Sequence, residues 1–316
     1  MSDLVVILPV AGAAARTALA SPLARARRRA LGSADWRAWL ARRLGRADLA
    51  VRPAATVAAA ALGVPPGAAW FATPVALLAA VDHVRMPSAG WLALEADETA
   101  VLAADFTRVF EGTGHALTPA GSEGFLLTGV STAAITHDPA RVLGGDIAPW
   151  LPTGEGAAPL RRIGTEIEMW LHEHPVNRTR VRRGAAPLAG LWLWGGESPA
   201  PAAPAQPHDR VGTGLPRGYG GDSWLRGLWQ AGGRTLDGPG RAFAELELAR
   251  DADTVVVVRE GVDDRVAAHW VDPALAALAA RRIDTVEVVA DERVFRYRRF
   301  DLVKPWRRPV AWAVPT

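Results

Sequence analysis

Two short apolar runs, near opposite ends of the chain, set the architecture. Residues 4–8 and 254–258 are rich in Val, Ile and Leu and show no alternation of polar residues. Strands that are apolar on both faces are typical of parallel sheets covered by helices on both sides. Two further strands are predicted at 285–290 and 294–300. The pattern therefore predicts an α/β fold with a mainly parallel sheet and helices on both faces.

The middle of the chain has a different pattern. A Val-Pro-Pro-Gly break at 64–67 precedes predicted strands at 70–78, 88–94 and 124–128 and a predicted helix at 97–110. This mixture of strands and helices is typical of an α+β domain. Ahead of the break, residues 23–31 predict an arginine-rich helix.

The composition excludes several kinds of site. The chain contains no cysteine, so disulfides, cysteine-ligated zinc, iron–sulfur clusters and thiol nucleophiles are excluded. The net formal charge is only +3. The pI near 10.1 follows from the scarcity of groups that titrate between neutrality and the arginine range, since Lys304 is the single lysine. Composition alone therefore does not indicate a nucleic-acid partner.

The first residues predict a cytoplasmic protein without a membrane partner. Asp3 stands where a signal peptide carries positive charge, and the apolar run that follows is short. No stretch approaches the roughly 18 consecutive apolar residues of a membrane span.

An arginine cluster follows the clearest predicted helix, at 160–174, which Pro175 is expected to end. Asn177 is predicted to cap a short helix at 178–183. Guanidinium groups bind phosphate or carboxylate through paired hydrogen bonds, so the cluster is a candidate anion site. The alternative is a set of salt bridges to acids such as Glu166 and Glu168, and the sequence alone leaves both open. The cluster comprises Arg178, Arg180, Arg182 and Arg183.

Two other features have a functional and a structural interpretation. His172 and His174 point roughly 200° apart on a helix, so we expect a helix terminus rather than a shared metal ion. The predicted strand at 191–194 ends in two glycines, and ligands bind at the carboxyl edge of parallel sheets. Trp194 is therefore a candidate contact, although a buried indole is the simpler interpretation.

The C-terminal region interleaves arginines with aromatic residues. Such a pattern could stack on single-stranded nucleic acid. An outer strand with solvent-facing arginines is the more ordinary interpretation, so we do not expect a nucleic-acid partner. The residues are Arg293, Phe295, Arg296, Tyr297, Arg298, Arg299, Trp306, Arg307 and Arg308.

Several motifs resemble a known family. Residues 174–184, His-Pro-Val-Asn-Arg-Thr-Arg-Val-Arg-Arg-Gly, and residues 191–196, Leu-Trp-Leu-Trp-Gly-Gly, resemble motifs of archaeal-type cofactor-independent phosphoglycerate mutases. They resemble still more closely a bacterial family of RpfE-type regulatory proteins. Residues 136–154, 222–228 and 300–309 add further similarities, so the resemblance covers most of the chain.

This resemblance implies a fold and a chemistry. It implies an alkaline-phosphatase-like core of residues 1–63 and 188–316, with an inserted α+β domain of residues 64–187. Active mutases of this kind use two divalent metal ions and a serine that carries the phosphoryl group. Such a site requires a group of Asp and His ligands.

The chain departs from this pattern where ligands are expected. Active mutases carry Asp-Gly after the first strand, whereas this chain has Pro9 followed by Val-Ala-Gly. Arg259 stands after the 254–258 strand in place of a histidine, and Asp291 and Glu292 replace Gly-Asp-His after the strand at 285–290. Ser21 could be the serine, but it lacks neighbouring ligands. We therefore predict no metal cofactor; the weak candidate ligands are Asp263, Asp264, His269 and Asp291.

We expect a phosphoglycerate mutase-like protein without catalytic metals, acting as a regulatory or ligand-binding protein. Its expected partner is a phosphorylated small molecule or another protein. The alternative is an active metal-dependent phosphoglycerate mutase or phosphoesterase with rearranged ligands, which would use manganese or magnesium. The anion-binding candidates are His174, Asn177, Arg180, Arg183 and Trp194.

Overall fold

The computed structural model describes residues 2–9, 13–32, 35–198, 215–240, 242–248, 252–259 and 264–302. The strands are β1 (Asp3–Leu8), β2 (Arg27–Ala30), β3 (Ala69–Val75), β4 (Leu78–Ala79), β5 (Val84–Arg85), β6 (Ala116–Pro119), β7 (Phe125–Thr128), β8 (Gly190–Trp194), β9 (Arg217–Tyr219), β10 (Thr254–Val257), β11 (Thr285–Ala290) and β12 (Arg293–Arg298). The helices are α1 (Ala13–Ala20), α2 (Trp36–Arg43), α3 (Ala47–Ala50), α4 (Ala54–Ala61), α5 (Ala96–Val109), α6 (Ala157–His172), α7 (Pro175–Arg182), α8 (Ser223–Gln230), α9 (Asp272–Ala279) and α10 (Arg299–Leu302).

The chain divides into two compact units. The first, called here the six-stranded unit, comprises Met1–Ala50, Pro204–Gly221 and Leu228–Thr316. The second, the four-stranded unit, comprises Val51–Ala203 and Asp222–Gly227. None of the helices in the described ranges has the length and apolar character needed to cross a membrane.

The six-stranded unit confirms the predicted α/β fold with a mainly parallel sheet. Its strand order is β2-β12-β11-β1-β10-β9. The four strands from β11 to β9 run parallel, and β12 and β2 add antiparallel strands at one side. Both apolar runs lie at the centre, because β1 and β10 are buried along their whole lengths.

Helices cover both faces of this sheet. On one face, Leu4 and Val288 pack with Leu19 of α1 and Leu278 of α9 in one buried cluster. The other face carries Asp3 and Glu287, which both bind Arg43 at the last residue of α2. An α/β sheet with helices on two faces buries its central strands in this way.

The four-stranded unit contains an antiparallel sheet in the order β6-β7-β3-β8. Trp70 and Leu193 pack on one face of this sheet against Phe106 of α5 and Ile167 of α6. The helix predicted at 160–174 is thus confirmed as α6, and its apolar spacing is the face that this core buries.

The unit boundaries differ from the predicted domain boundaries at 64 and 187. Strand β8 pairs antiparallel with β3, so it belongs to the four-stranded sheet. Helix α4 joins the same unit, since the Ala55 N–H donates to the Gly195 carbonyl at 2.8 Å. The four-stranded unit accordingly extends from 51 to 203, with residues 222–227 added.

Three local predictions are wrong. Residues 27–30 form strand β2 rather than part of a helix, because they pair with β12. Residues 88–94 are irregular apart from a single bridge between Trp91 and Val75. Pro175 does not end a helix but begins α7, with His174 as its N-cap, so Asn177 lies inside that helix.

Candidate functional site

The first candidate site is the carboxyl edge of the six-stranded sheet. Here β1, β10 and β11 end side by side, since Ile7 is in register with Val257 and Leu8 with Ala290. Ligands of open α/β sheets bind outside the carboxyl ends of their strands. The first polar residue after β11 is Asp291, which has a left-handed backbone (φ 47°) in the turn to β12.

An arginine holds this carboxylate. Arg16 of α1 places Nε 2.7 Å from Oδ2 of Asp291, and its Nη2 donates a hydrogen bond to Oδ1 at 3.2 Å. Only the contact between Nη2 and Oδ1 has hydrogen-bond geometry, so the pair is held by one hydrogen bond together with the attraction of the opposite charges. A divalent cation that bound Asp291 would lie close to this positively charged guanidinium, and the repulsion between the two would oppose its binding.

Three of the four weak metal-ligand candidates lie within the described residues. Asp264 and His269 are exposed, and His269 lies on a π-helical turn at Ala267–Val271. Asp263 lies outside the described residues. Over the ranges that the structure describes, no three His, Asp or Glu side chains are grouped closely enough to hold an ion. The candidates within the described residues therefore do not by themselves fit a binuclear metal centre of the kind that the resemblance implies.

Ser21 is also poorly placed for chemistry at this edge. It follows the last residue of α1, whereas Arg16 lies near the middle of that helix. An eight-residue helix is about 12 Å long. Ser21 therefore lies just beyond the C-terminal end of α1, and its side chain is exposed.

The second candidate site is the cluster around α7 in the four-stranded unit. His174 caps this helix through Nδ1, which accepts from the Val176 N–H at 3.2 Å. Its Nε2 lies 3.3 Å from Oδ2 of Asp105. Burial lowers the pKa of His174, and the neighbouring Asp105 opposes this shift only in part. A neutral ring with its proton on Nε2 fits both contacts.

Asn177 uses its side chain to connect three backbone segments. Its Nδ2 donates to the carbonyls of Leu171 and Leu188, both at 2.8 Å, and its Oδ1 accepts from the Leu188 N–H at 2.7 Å. The residue is buried. These bonds tie the end of α6 and the segment before β8 to α7, so the amide has a structural role.

Arg180 and Arg183 converge on Glu98 of α5. Arg180 Nη1 lies 2.7 Å from Oε2 of Glu98, and Arg183 Nη2 lies 2.5 Å from Oε1. The side chains of Glu98 and Arg180 are each 6% exposed, whereas that of Arg183 is 43% exposed. The predicted anion-binding arginines thus do come together, around a carboxylate that belongs to the chain itself.

Trp194 lies on a different face of the four-stranded sheet. Its indole N–H donates to Oγ1 of Thr73 at 2.9 Å, and its ring lies against Phe71 with 4.7 Å between centroids. Side chains alternate along a strand, so Trp194 faces away from the core that holds Leu193. It lies on the face of the sheet opposite to α5 and α6.

Two aromatic residues proposed for base stacking are core residues. Phe295 and Tyr297 are 0% and 3% exposed and belong to the buried cluster of the six-stranded unit. Trp306, Arg307 and Arg308 lie outside the described residues. Rings that are enclosed by the core cannot stack on bases.

Sequence reasoning missed Glu98 and Arg16. The spacing of Glu95 and Glu98 is the signal for a capping box, and the structure contains both of its hydrogen bonds. That signal predicts a helix start but not the two arginines that the same carboxylate binds. For Arg16 the sequence contains no comparable local signal.

Comparisons with known proteins agree with the resemblance to phosphoglycerate mutases and do not support the closer resemblance to RpfE-type regulatory proteins. No family model matches the chain. A 2,3-bisphosphoglycerate-independent phosphoglycerate mutase of Methanothrix thermoacetophila is 30% identical over 255 residues, which is 76% of this chain and 61% of that protein. A probable enzyme of the same name from Geobacter sulfurreducens is 36% identical over 73 residues, 23% of this chain and 18% of that protein. The chain thus spans less than two thirds of either relative.

Two solved structures are similar at low identity. A cofactor-independent phosphoglycerate mutase from Thermoplasma acidophilum has a TM-score of 0.37 at 16% identity, covering 94% of this chain and 90% of its own. The PH0037 protein from Pyrococcus horikoshii has a TM-score of 0.41 at 14% identity, covering 91% and 81%. The similarity to 2,3-bisphosphoglycerate-independent phosphoglycerate mutases rests on the sequence of the Methanothrix relative.

Proposed function

We propose that this chain is a phosphoglycerate mutase-like protein that works without catalytic metal ions, as a regulatory or ligand-binding protein. One observation carries the proposal: the carboxylate at the carboxyl edge of the sheet, Asp291, is held by Arg16. The guanidinium supplies the positive charge that a divalent cation would supply to that carboxylate. The residues after β1, β10 and β11 also differ from the metal ligands of active mutases, which supports the same proposal.

The ligand that this proposal favours is a phosphorylated small molecule or an acidic group of a protein partner. Of the anion-binding candidates, Arg183 has an accessible guanidinium, while His174, Asn177 and Arg180 are buried. An external anion would therefore meet Arg183 first, with the buried residues holding the end of α7 in place. A narrower hypothesis, an RpfE-type regulatory protein, belongs to the same proposal; neither relative above carries that description.

A mutase assay with metal analysis tests the proposal. The purified full chain is incubated with manganese or magnesium, and the interconversion of 2- and 3-phosphoglycerate is measured alongside bound metal by mass spectrometry. We expect no turnover above background and substoichiometric metal. Arg16→Gln, which removes one guanidinium from Asp291, should also be inactive, since no three His, Asp or Glu side chains of the described residues are grouped closely enough to hold an ion. Arg162→Gln, which removes an exposed ion pair with Glu166, is the matched control.

Turnover that Asp263→Ala abolishes, together with a stoichiometric binuclear metal centre, would show that the alternative of an active enzyme with rearranged ligands is correct. Inactivity combined with binding of 3-phosphoglycerate that Arg183→Ala weakens would support the ligand-binding proposal. Calorimetric titration of the full chain measures that binding directly.

A further inference from the structure

Strands β4 and β5 form a small hairpin in the four-stranded unit that carries exposed apolar side chains. Leu78 is 53% exposed and Val84 is 38% exposed, and Val81 in the turn is fully exposed. Residues 77–81, Leu-Leu-Ala-Ala-Val, are consecutive apolar residues, and all but the first are exposed. A surface run of this kind is unfavourable unless it takes part in binding.

The β5 side of the hairpin is already paired. The Ile147 N–H donates to the Val84 carbonyl at 3.0 Å, and Arg85 forms a bridge with Asp146. Strand β5 therefore has a neighbour on each side. Within the described part of the chain, β4 pairs with β5 alone, so β4 is the outer edge of this small sheet.

The hydrogen bonds of the hairpin determine which backbone groups of β4 point outward. The Ala80 N–H donates to the His83 carbonyl at 2.8 Å, and Ala79 is in register with Val84. Hydrogen-bonded pairs alternate in an antiparallel ladder, so the backbone groups of Ala79 and Val84 point away from each other. The bond from Ile147 to Val84 agrees with this direction. The N–H and C=O of Ala79 therefore point outward, and they have no hydrogen bond to any described residue.

This edge lacks the features that usually prevent association between sheet edges. Native proteins protect such edges with charged residues, proline or bulges. Residues 76–81 contain no charged residue and no proline. The charged residues Asp82 and His83 follow this segment and bond to each other at 2.6 Å. Arg85 lies one strand further in and donates to the Gly144 carbonyl at 3.1 Å.

The chemistry of the edge favours a second copy of the same chain as the partner. A charged segment would meet no opposite charge on residues 76–81. An apolar strand with an open edge is complementary, and among the described strands β4 alone consists entirely of exposed apolar residues. A two-fold axis at Ala79 would place that residue opposite its own counterpart, and Val81 opposite Leu77 of the second copy. No like charges meet in this arrangement, which is the isologous contact typical of symmetric dimers.

We propose that the chain forms a symmetric dimer in which β4 pairs antiparallel with β4 of a second copy. The outward N–H and C=O of Ala79 would exchange hydrogen bonds with the same groups of the second copy. The paired segment, residues 77–81, is short, so the dimer should be reversible and depend on concentration. This inference goes beyond the proposed function and does not depend on whether the chain is an enzyme.

Disulfide formation between introduced cysteines tests the register of the pairing. The chain has no cysteine, so a single introduced thiol can bond only to a second copy. In the proposed pairing the two Cα atoms at position 79 lie about 5.5 Å apart, within the range of about 4.4–6.8 Å that a disulfide spans. The two Cα atoms at position 78 are diagonal neighbours about 7–8 Å apart, which is too far.

We expect Ala79→Cys to form a covalent dimer under mild oxidation roughly tenfold or more faster than Leu78→Cys, because only the first pair of thiols is held within reach. The matched control is Val101→Cys, at an exposed apolar position of α5, and it should be as slow as Leu78→Cys. Non-reducing gel electrophoresis of the full chain measures the three rates.

Sedimentation velocity of the reduced full chain over a dilution series provides a second measurement. Wild type should show a mass that rises with concentration. Ala79→Pro removes the outward N–H but no hydrogen bond to β5, and it should remain monomeric. Val81→Glu should also weaken association, whereas the same change at Val101 should not. Circular dichroism checks that each variant folds.

Three results would overturn the inference. A wild-type chain that is monomeric throughout the series would show that this edge binds another partner or none. Equal oxidation rates at positions 79 and 78 would exclude the proposed register. Association that survives Ala79→Pro would show that the main chain of β4 does not form the contact.

Discussion

The carboxylate of Glu98 should be the most sensitive single group of the four-stranded unit. It is 6% exposed and binds Arg180, which is equally buried, as well as Arg183. Removing one partner of a buried ion pair costs about 3–5 kcal/mol, because the other charge is left without compensation in the interior. Glu98 also accepts from the Glu95 N–H at 3.0 Å, and losing a helix cap costs about 1 kcal/mol. We therefore expect Glu98→Ala to lower the free energy of unfolding by about 4–6 kcal/mol.

Replacing Arg180 should destabilise the protein more than replacing Arg183, because only the Arg180 side chain is buried. Arg180→Ala should cost about 3–5 kcal/mol, since it leaves Glu98 buried and removes the bond from Nε to the Ala186 carbonyl. Arg183→Ala should cost at most about 1 kcal/mol, because its side chain is 43% exposed and water screens its half of the interaction. Glu166→Ala, which breaks an exposed pair, is the matched control and should cost less than about 0.5 kcal/mol.

Urea titrations followed by tryptophan fluorescence measure all four variants. Phosphate adds a second readout, since an anion that takes the place of the missing carboxylate should restabilise Glu98→Ala by about 2.7 kcal/mol at a hundredfold its Kd. Wild-type protein should respond much less. Equal costs for Arg180→Ala and Arg183→Ala, or a loss below about 1 kcal/mol for Glu98→Ala, would refute the reasoning from burial.

Three further predictions use the same unit. Burial lowers the pKa of His174 from its ordinary value of 6.5, so the unfolded chain binds more protons and stability should fall as the pH drops below about 6.5. His174→Asn keeps a capping acceptor without this titration and should show a smaller difference between urea titrations at about pH 7.5 and about pH 5.5. Asn177→Ala removes the side-chain partner of the Leu188 N–H and of the Leu188 carbonyl, so a loss of about 2–4 kcal/mol is expected, and a thermal melt close to that of wild type would contradict it. Gly129 has φ +88° and a built Cβ would lie 2.1 Å from the Gly114 carbonyl oxygen, so Gly129→Ala should cost about 1–3 kcal/mol. Gly164→Ala in α6 meets no atom within 4 Å and should instead raise the melting temperature, in line with a gain of about 0.5–1 kcal/mol.

The central strands could be predicted from sequence because burial determines their composition. β1 and β10 are covered on both faces, so their residues are apolar without a break. Strand β2 could not be predicted from sequence, because its three arginines are good helix formers. Its strand conformation depends on pairing with β12, which is far away in sequence. Only the tertiary structure brings residues 27–30 next to β12, so the local sequence does not indicate this pairing.

The candidate site, too, could be predicted from sequence only in part. The sequence brought His174, Asn177, Arg180 and Arg183 together as one cluster, and local helical spacing was enough for that. Their partners could not be read from the chain, since Glu98 comes from α5 and binds across a long sequence separation. Arginine patterns predict that an anion is near; they do not tell whether the anion is a ligand or a side chain.

The pairing of β1 has a consequence for synthesis on the ribosome. Val5 lies beside Val255 on one side and Glu287 on the other, so β1 has no neighbouring strand until residues 254–257 have been synthesised, about 250 residues later. At about 5–20 residues per second, that delay is roughly 10–50 s. Residues 51–203 are contiguous and can complete most of their own sheet in the meantime. During this interval the apolar side chains of β1 lack the strands that cover them in the folded sheet, which is a state in which apolar segments are prone to aggregate.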